Sequence, residues 1–407
     1  MSEIKSVFHA KYEYGLQEYQ IHEKDPFFNF LETLVVRMLK TLMYSGSSFL
    51  KDKFIDNSRV LIAKSQLDAI GAESVKLETP DGDFLDGRYL SAQVFKTKLE
   101  KYFDVIETTE QGAIFQKLVV KAEFCNTIEK KLSLGTECSY LQANEKVEAF
   151  IRILKGLGMD VLTNGIISKE NNIRGVVINL GPTQEHLKLL TSDTKSTALI
   201  AHGADMNYAA YKSLAVAYLL RGLNVLLVDF RGYGESEGSP TSHKTKLDLE
   251  TAYQYLREKK QIENKDLVVH GHCMGGGSAT DLAARRSKVN LILDRSFSDY
   301  RDVAKNRFPL LSEIIYRIMP WIVNYNNSEN LAKIRGHIGI AMAKQDAVIS
   351  EEQIIKEIDS LPITEPDQIV KLIDSPGGHS GLWTEFPITS DQFNQFLMQA
   401  GLRSRLF

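Results

Sequence analysis

Cys273 sits in Gly271-His272-Cys273-Met274-Gly275, directly after an apolar run at 267–270. Glycines two before and two after a cysteine allow a sharp backbone bend without side-chain clash. A side chain at such a bend stands above the strand end. The amides of the following helix N-terminus favour negative charge there, and so a thiolate that can act as a nucleophile. Taken alone, the pentapeptide also fits a small buried thiol at a tight turn. The chain then supplies partners for the nucleophile. Asp346 follows an apolar run at 338–342, in Ala343-Lys344-Gln345-Asp346, and His379 follows another at 369–373, in Ser375-Pro376-Gly377-Gly378-His379-Ser380-Gly381. A histidine that takes the thiol proton, oriented by a carboxylate, is an arrangement for covalent acyl transfer. Asp294, closing the run at 291–294, is a competing acid. Acyl transfer also needs two N–H donors aimed at the developing oxyanion. Met274 supplies one candidate. Ala204, in His202-Gly203-Ala204-Asp205, supplies the other unless that stretch is a plain glycine turn. His270 and His272 flank the cysteine and read as packing or supporting groups, because two histidines with one cysteine here lack zinc-ligand spacing.

These residues require a scaffold that ends strands in a common place. Apolar runs at 197–201, 225–230, 267–270, 291–294, 338–342 and 369–373 suit buried parallel strands. Between them, Tyr211, Leu214, Ala215, Tyr218 and Leu219 form a helical stripe that stops at Gly222. Leu249, Ala252, Tyr253 and Leu256 form a second stripe, and a third helix is expected over 278–286, directly after the glycines. The alternation predicts an α/β fold, with a parallel sheet covered on both faces and a site at the carboxyl ends of its strands.

His202-Gly203-Ala204-Asp205-Met206-Asn207, DFRGYGESEG at 229–238, GHCMGG, Asp346 and His379 together resemble an α/β hydrolase. The D-F-R-G-Y-G-x-S-x-G segment is similar to the subgroup that hydrolyses acyl esters and thioesters or acts on peptides. The resemblance runs from about residue 196 to the C-terminus, and the 73–89 stretch resembles the sheet's leading strands. It implies an α/β-hydrolase fold, a mostly parallel sheet flanked by helices, with a helical N-terminal extension and a small cap. It implies Cys273, His379 and Asp346 as the triad, with Met274 and Ala204 as oxyanion donors, Gly271, Gly275 and Gly203 as turn glycines, and neither metal nor organic cofactor. Most of the superfamily carries serine where this chain has Cys273; a minority resembling dienelactone hydrolase and the polyester synthases carries cysteine. More narrowly, the long N-terminal portion with GVVINLGPTQEH resembles the SidB/SdbB-like effector proteins of Legionella and chlamydial hydrolase-like proteins, which implies delivery into a host cell without a cleaved signal peptide.

The rest of the chain divides into a helical extension (1–72), a mixed region (73–195) and the catalytic core (196–407), with a cap at about 297–334. Phe27, Leu31, Leu34, Val35, Met38 and Leu42 predict an amphipathic helix at 26–44. Alternating runs around Thr79-Pro80-Asp81-Gly82 predict a hairpin. Residues 91–195 contain strand-like pieces at 117–121 and 176–180 and a helical stretch at 144–157, as either a separate domain or an insertion. The apolar stretch at 308–323 reads as cap helices on the sheet edge, or as an acyl pocket wall or a peripheral membrane contact. With 407 residues, 43% hydrophobic and 25% charged, the composition is that of a soluble globular protein. A net charge of −3 gives no basic surplus for nucleic acid. Three cysteines, Cys125, Cys138 and Cys273, make a disulfide framework improbable and fit a reducing, cytoplasmic setting. The first residues lack a signal-peptide core, and no apolar run reaches membrane-spanning length. The expectation is hydrolysis of a small-molecule or lipid acyl ester or thioester. The alternatives are an inactive hydrolase-fold binding protein, and an acyltransferase or peptidase using the same triad.

Overall fold

The computed structural model describes residues 57–110, 113–131, 137–143, 147–148, 150–152, 160–162, 177–179, 195–307, 324–343, 345–361, 368, 370–375, 378–379 and 387–403. Helix α1 (Asn57–Ala69) leads into β1 (Glu73–Glu78) and β2 (Phe84–Leu90), an antiparallel hairpin around the expected Pro-Asp-Gly turn. Next come α2 (Ala92–Tyr102), β3 (Phe103–Glu110), β4 (Ala113–Val120), β5 (Cys125–Lys131), β6 (Glu137–Ala143), β7 (Asp160–Leu162) and β8 (Val177–Asn179). The regular half then follows: β9 (Thr197–Ala201), α3 (Lys212–Leu219), β10 (Asn224–Val228), α4 (Ser242–Glu258), β11 (Leu267–His272) and α5 (Met274–Arg285). It is completed by β12 (Asn290–Asp294), α6 (Tyr300–Arg307), α7 (Asn327–Leu331), β13 (Ile338–Ala343), α8 (Glu351–Asp359), β14 (Val370–Ser375) and α9 (Pro387–Gln399).

Eight strands form one sheet in the order β1-β2-β10-β9-β11-β12-β13-β14. The β1/β2 and β2/β10 pairs are antiparallel, and the pairs from β10 to β14 are parallel. This is the α/β-hydrolase fold anticipated from the motifs. Each of the six apolar runs is a strand, with ends displaced by a few residues. Side chains alternate across the sheet as the pleat requires. Ala198, Ile200, Val225, Leu227 and Val268 join one core, with Leu214 and Tyr218 of α3 and Phe393 and Phe396 of α9. Leu199, Ala201, Leu226, Val228 and Val269 join the other, with Leu249 and Leu256 of α4 and Ala279 and Leu282 of α5.

One element differs from expectation in a way that matters for the site. The third helix begins at Met274, immediately after Cys273, so Gly275, Gly276 and Gly277 lie inside its first turns. Glycine is a poor helix former, but these positions have no room for more. A Cβ at Gly275 would lie 2.2 Å from the Ala201 carbonyl oxygen, and one at Gly276 would lie 2.1 Å from Ser296 Oγ. Close approach to the neighbouring strand ends overrides propensity.

The mixed region leaves the main sheet between β2 and β9. β3-β4-β8-β7 form a separate antiparallel sheet, and β5 and β6 pair alone. Residues 147–148 and 150–152 are helical. Phe150 stacks on Phe95 at 5.2 Å, and Leu118, Val120 and Ile151 are buried in the same core as α3. The expected helix at 26–44 and the apolar stretch at 308–323 lie outside the described residues. Among the described residues, no helix is long and apolar enough to cross a membrane.

Candidate active site

Cys273 stands where β11 turns into α5, with φ 49° and ψ −116°. A non-glycine residue held in so sparsely populated a conformation costs about 1–3 kcal/mol and persists only where its surroundings fix it. The fixing bonds come from the neighbouring strand end. Cys273 N–H donates to the Asp294 carbonyl at 3.1 Å. The Cys273 carbonyl accepts from Ser296 Oγ at 2.9 Å and from Gly276 N–H at 3.0 Å. The flanking Gly271 serves the same packing, since a Cβ there would be 2.6 Å from Ala279 Cβ. The thiol is free and half-buried.

Asp346 and His379 come from the loops after β13 and β14. Asp346 Oδ1 accepts the N–H groups of Val348 and Ile349 at 2.7 and 2.9 Å, which fixes the carboxylate. Its Oδ2 pairs with His379 Nδ1 at 2.8 Å. Burial opposes ionisation of Asp346, but the hydrogen bond from His379 and the two backbone donors prevail and hold its carboxyl below the usual range. Burial likewise opposes a charged His379. Hydrogen bonds to Asp346 and to Cys273, with the negative charge of both, overcome it and push the imidazole up to about 10. The Asp346 carboxylate and the Cys273 sulfur thus both favour the charged imidazole, and the carboxylate fixes its Nδ1. Asp294, the competing acid, is engaged elsewhere: its Oδ2 lies 3.3 Å from His270 Nε2, and Arg295 Nε donates to its Oδ1 at 2.7 Å.

The loop after β9 lies against Cys273, with an ideal Cβ on Gly203 falling 3.5 Å from Cys273 Cβ. Side chains occupy most of its backbone polar groups. Gly203 N–H donates to Tyr211 Oη at 2.9 Å, and the Gly203 carbonyl accepts from His202 Nδ1 at 2.8 Å. The Ala204 carbonyl accepts from Tyr233 Oη at 2.9 Å. Among the described residues, the Ala204 and Met274 N–H groups have no acceptor. Met274 is the first residue of α5, whose leading amides carry no intrahelical bond. These two amides are the oxyanion donors expected from the sequence. His202 is held neutral: burial lowers it to about 4, and its Nε2 accepts Phe230 N–H at 2.9 Å.

The D-F-R-G-Y-G-x-S-x-G motif does its work around this loop. Arg231 is fully buried and pairs with Asp248 of α4 and with Asp81 and Asp83 of the leading hairpin, at 2.6, 2.6 and 2.9 Å. Tyr233 steadies Ala204, and Ser236 Oγ links the Asp229 carbonyl to Asp86 N–H at 2.8 and 2.9 Å. The motif was legible as a resemblance, but its residues carried no assigned roles. Sequence reasoning also missed Tyr211 and Arg295. Tyr211 reads as the first position of an apolar stripe. Arg295 offers no local signal: its NH1 reaches the Gly378 carbonyl at 2.8 Å across 83 residues of chain. Among the described residues, no group of three or more His, Cys, Asp or Glu is gathered as a metal site.

Residues 192–361 match the family model described as serine aminopeptidase, S33. The chain is 31% identical to protein bem46 of Schizosaccharomyces pombe over 146 residues, 35% of this chain and 48% of that protein. It is 30% identical to the lysophosphatidylserine lipase ABHD12 of Danio rerio over 164 residues, 36% of this chain and 41% of the lipase. It is 28% identical over 207 residues to the multifunctional-autoprocessing repeats-in-toxin of Vibrio cholerae, 50% of this chain and 4% of the toxin. The chain thus spans about half the length, or less, of the curated relatives it matches. Among solved structures, the Pyrococcus furiosus esterase Pf2001 superposes with a TM-score of 0.49 at 15% identity, covering 82% of this chain and 92% of that one.

Proposed function

We propose that the protein is a hydrolase that cleaves an acyl ester or thioester through a covalent intermediate on Cys273, with His379 as acid and base and Asp346 as its orienting carboxylate. The observation that carries this reading is His379 held by Asp346 Oδ2 at 2.8 Å, with the Cys273 sulfur and the Asp346 carboxylate both favouring the charged imidazole. The lipase among the relatives and the hydrolase fold support an acyl substrate, small-molecule or lipid. The family description names serine, whereas the turn of this chain carries Cys273.

In this mechanism the Cys273 thiolate attacks the carbonyl carbon, forming a C–S bond while the carbonyl π electrons move to oxygen. The Met274 and Ala204 N–H groups hold that oxyanion. Collapse expels the alcohol or thiol, which takes the proton from His379 imidazolium and leaves a thioester on Cys273. Neutral His379 then removes a proton from water as the water attacks the thioester. Collapse of the second intermediate releases the acid and restores the thiolate–imidazolium pair. Asp346 stays ionised throughout and keeps Nδ1 of His379 pointed away from sulfur. The setting we infer is a reducing one, because this scheme requires the thiol unoxidised; delivery as an effector belongs to the same proposal and is tested by secretion assays of the intact chain.

The test is turnover of short- and long-chain p-nitrophenyl esters and acyl thioesters by the unmodified protein, Cys273→Ala and His379→Ala. Both variants should fall to background. Equal rates in all three proteins would sink the assignment. Turnover only with an added alcohol, thiol or amine would make the protein an acyltransferase.

A further inference from the structure

Beyond the triad, a single hydrogen-bonded chain joins the loops on either side of Cys273. Its members come from four places in the sequence: the loop after β9, the start of α3, the end of β11 and the loop after β14. Gly203 N–H donates to Tyr211 Oη at 2.9 Å. Tyr211 Oη lies 2.7 Å from His272 Nδ1. His272 Nε2 lies 3.0 Å from the His379 carbonyl oxygen. Tyr211 and His272 are both buried, at 7% and 2% exposed, so water does not compete for these groups.

Proton counting fixes the direction of every link. The His379 carbonyl can only accept, so neutral His272 carries its proton at Nε2 and accepts at Nδ1. The Tyr211 hydroxyl donates there, while its oxygen accepts from Gly203 N–H. Each donor meets one acceptor, and none is left over. A protonated His272 would break the pattern, because its Nδ1 would become a donor and the Tyr211 hydroxyl would lose its acceptor. Burial keeps the ring neutral, lowering His272 to about 4.

We propose that Tyr211 and His272 are positioning residues that tie the oxyanion loop to the catalytic-histidine loop, so that Ala204 N–H and the His379 ring are set relative to Cys273 as one unit. The proposal rests on the hydrolase reading above. The bond to Tyr211 occupies Gly203 N–H and anchors the backbone that carries the next amide, Ala204, an open donor of the loop. The bond from His272 grips the backbone of the residue that must reach sulfur. Arg295 grips the adjacent Gly378 carbonyl at 2.8 Å, so this loop is held at consecutive carbonyls by buried side chains. Ring packing alone would not need the hydroxyl: Tyr211 also meets the His272 ring edge-on at 5.7 Å, and phenylalanine would keep that contact.

The experiment compares the unmodified protein with Tyr211→Phe, His272→Gln and the double variant. It reads kcat and KM on a short-chain p-nitrophenyl ester, and the pH profile of Cys273 alkylation by iodoacetamide. The phenylalanine preserves ring and volume but removes the hydroxyl; the glutamine keeps a donor near the Nε2 position but no acceptor near Nδ1, so each variant cuts the chain at the Tyr211–His272 link. Tyr211→Phe should lower kcat by roughly 10- to 100-fold with KM changed less than about twofold, as expected when reacting groups are misplaced. The double variant should lose no more than the worse single, because both break one chain. Alkylation should move in pH in the same direction as in His379→Ala. Unchanged kcat in Tyr211→Phe, a rise confined to KM, or losses that multiply in the double variant would overturn the proposal. If the unmodified protein turns over no ester but Tyr211→Phe still shifts the alkylation profile, the hydrolase reading fails while the coupling stands.

Discussion

At the residue scale the account turns on one imidazole between a sulfur and a carboxylate. His379 is held above its ordinary value of 6.5, at about 10, first against burial and then by its bonds to Asp346 and Cys273. Its charged form therefore persists from acid pH up to about 10 and is lost as pH rises through that value. An imidazolium is the acid that releases the leaving group, so kcat/KM should hold level across neutral pH and fall as pH approaches 10. A pH profile of kcat/KM, which reports free-enzyme ionisations, checks this; an alkaline limb near 6.5 would contradict it. Cys273, Asp346 and His379 could be read from the sequence because each follows a recognisable strand end. His272 was legible only as a packing or supporting group and Tyr211 only as part of an apolar stripe, since their partners lie 61 and 107 residues away.

At the scale of elements, the β11–α5 turn holds Cys273, and the Arg231 cluster ties the leading hairpin to α4. Arg231 joins the leading hairpin to α4 with no exposed surface, and its partner Asp248 is equally buried. Removing one partner of such a pair strands the other charge, so Arg231→Met should cost roughly 3–5 kcal/mol in urea unfolding. Lys244→Met, which loses a half-exposed contact to Asp81 at 3.5 Å, should cost under about 1 kcal/mol. Equal costs would contradict the clamp. The strands were legible because buried parallel strands are continuous apolar runs. The start of α5 was not, because three glycines read as a loop when only the crowding by Ala201, Ser296 and Tyr325 explains them. In the mixed region the pieces at 117–121 and 176–180 were legible and overlap β4 and β8, but their pairing was not, because Lys117 meets Asn179 across a long separation of chain.

At the scale of the whole molecule, that mixed region shares a core with α3, so Phe150 links it to the face carrying Tyr211. Phe150→Ala should destabilise the protein by about 3–5 kcal/mol, lowering the urea midpoint of the catalytic half along with the rest; a loss confined to residues 103–179 would show the two to be independent. Buried titrating groups add a pH dependence. His202 is pushed down to about 4 by burial, so the unfolded chain binds its proton first, and stability from this group is lost as pH falls from 6.5 towards 4. Buried Glu357, pushed up to about 8, acts in the opposite sense, losing stability as pH rises through that range. The difference between the unmodified protein and His202→Gln isolates the histidine: the variant should lose less of its melting temperature between pH 6.5 and 4.5, and identical slopes would refute the neutral assignment. The central claim meets its most direct test in the intact mass of the protein, quenched in acid within milliseconds of mixing with an activated acyl ester. The account predicts a gain of one acyl group that maps to the Cys273 peptide and is absent from Cys273→Ala. Undiminished turnover by Cys273→Ala, or an acyl group mapping to another residue, would contradict it.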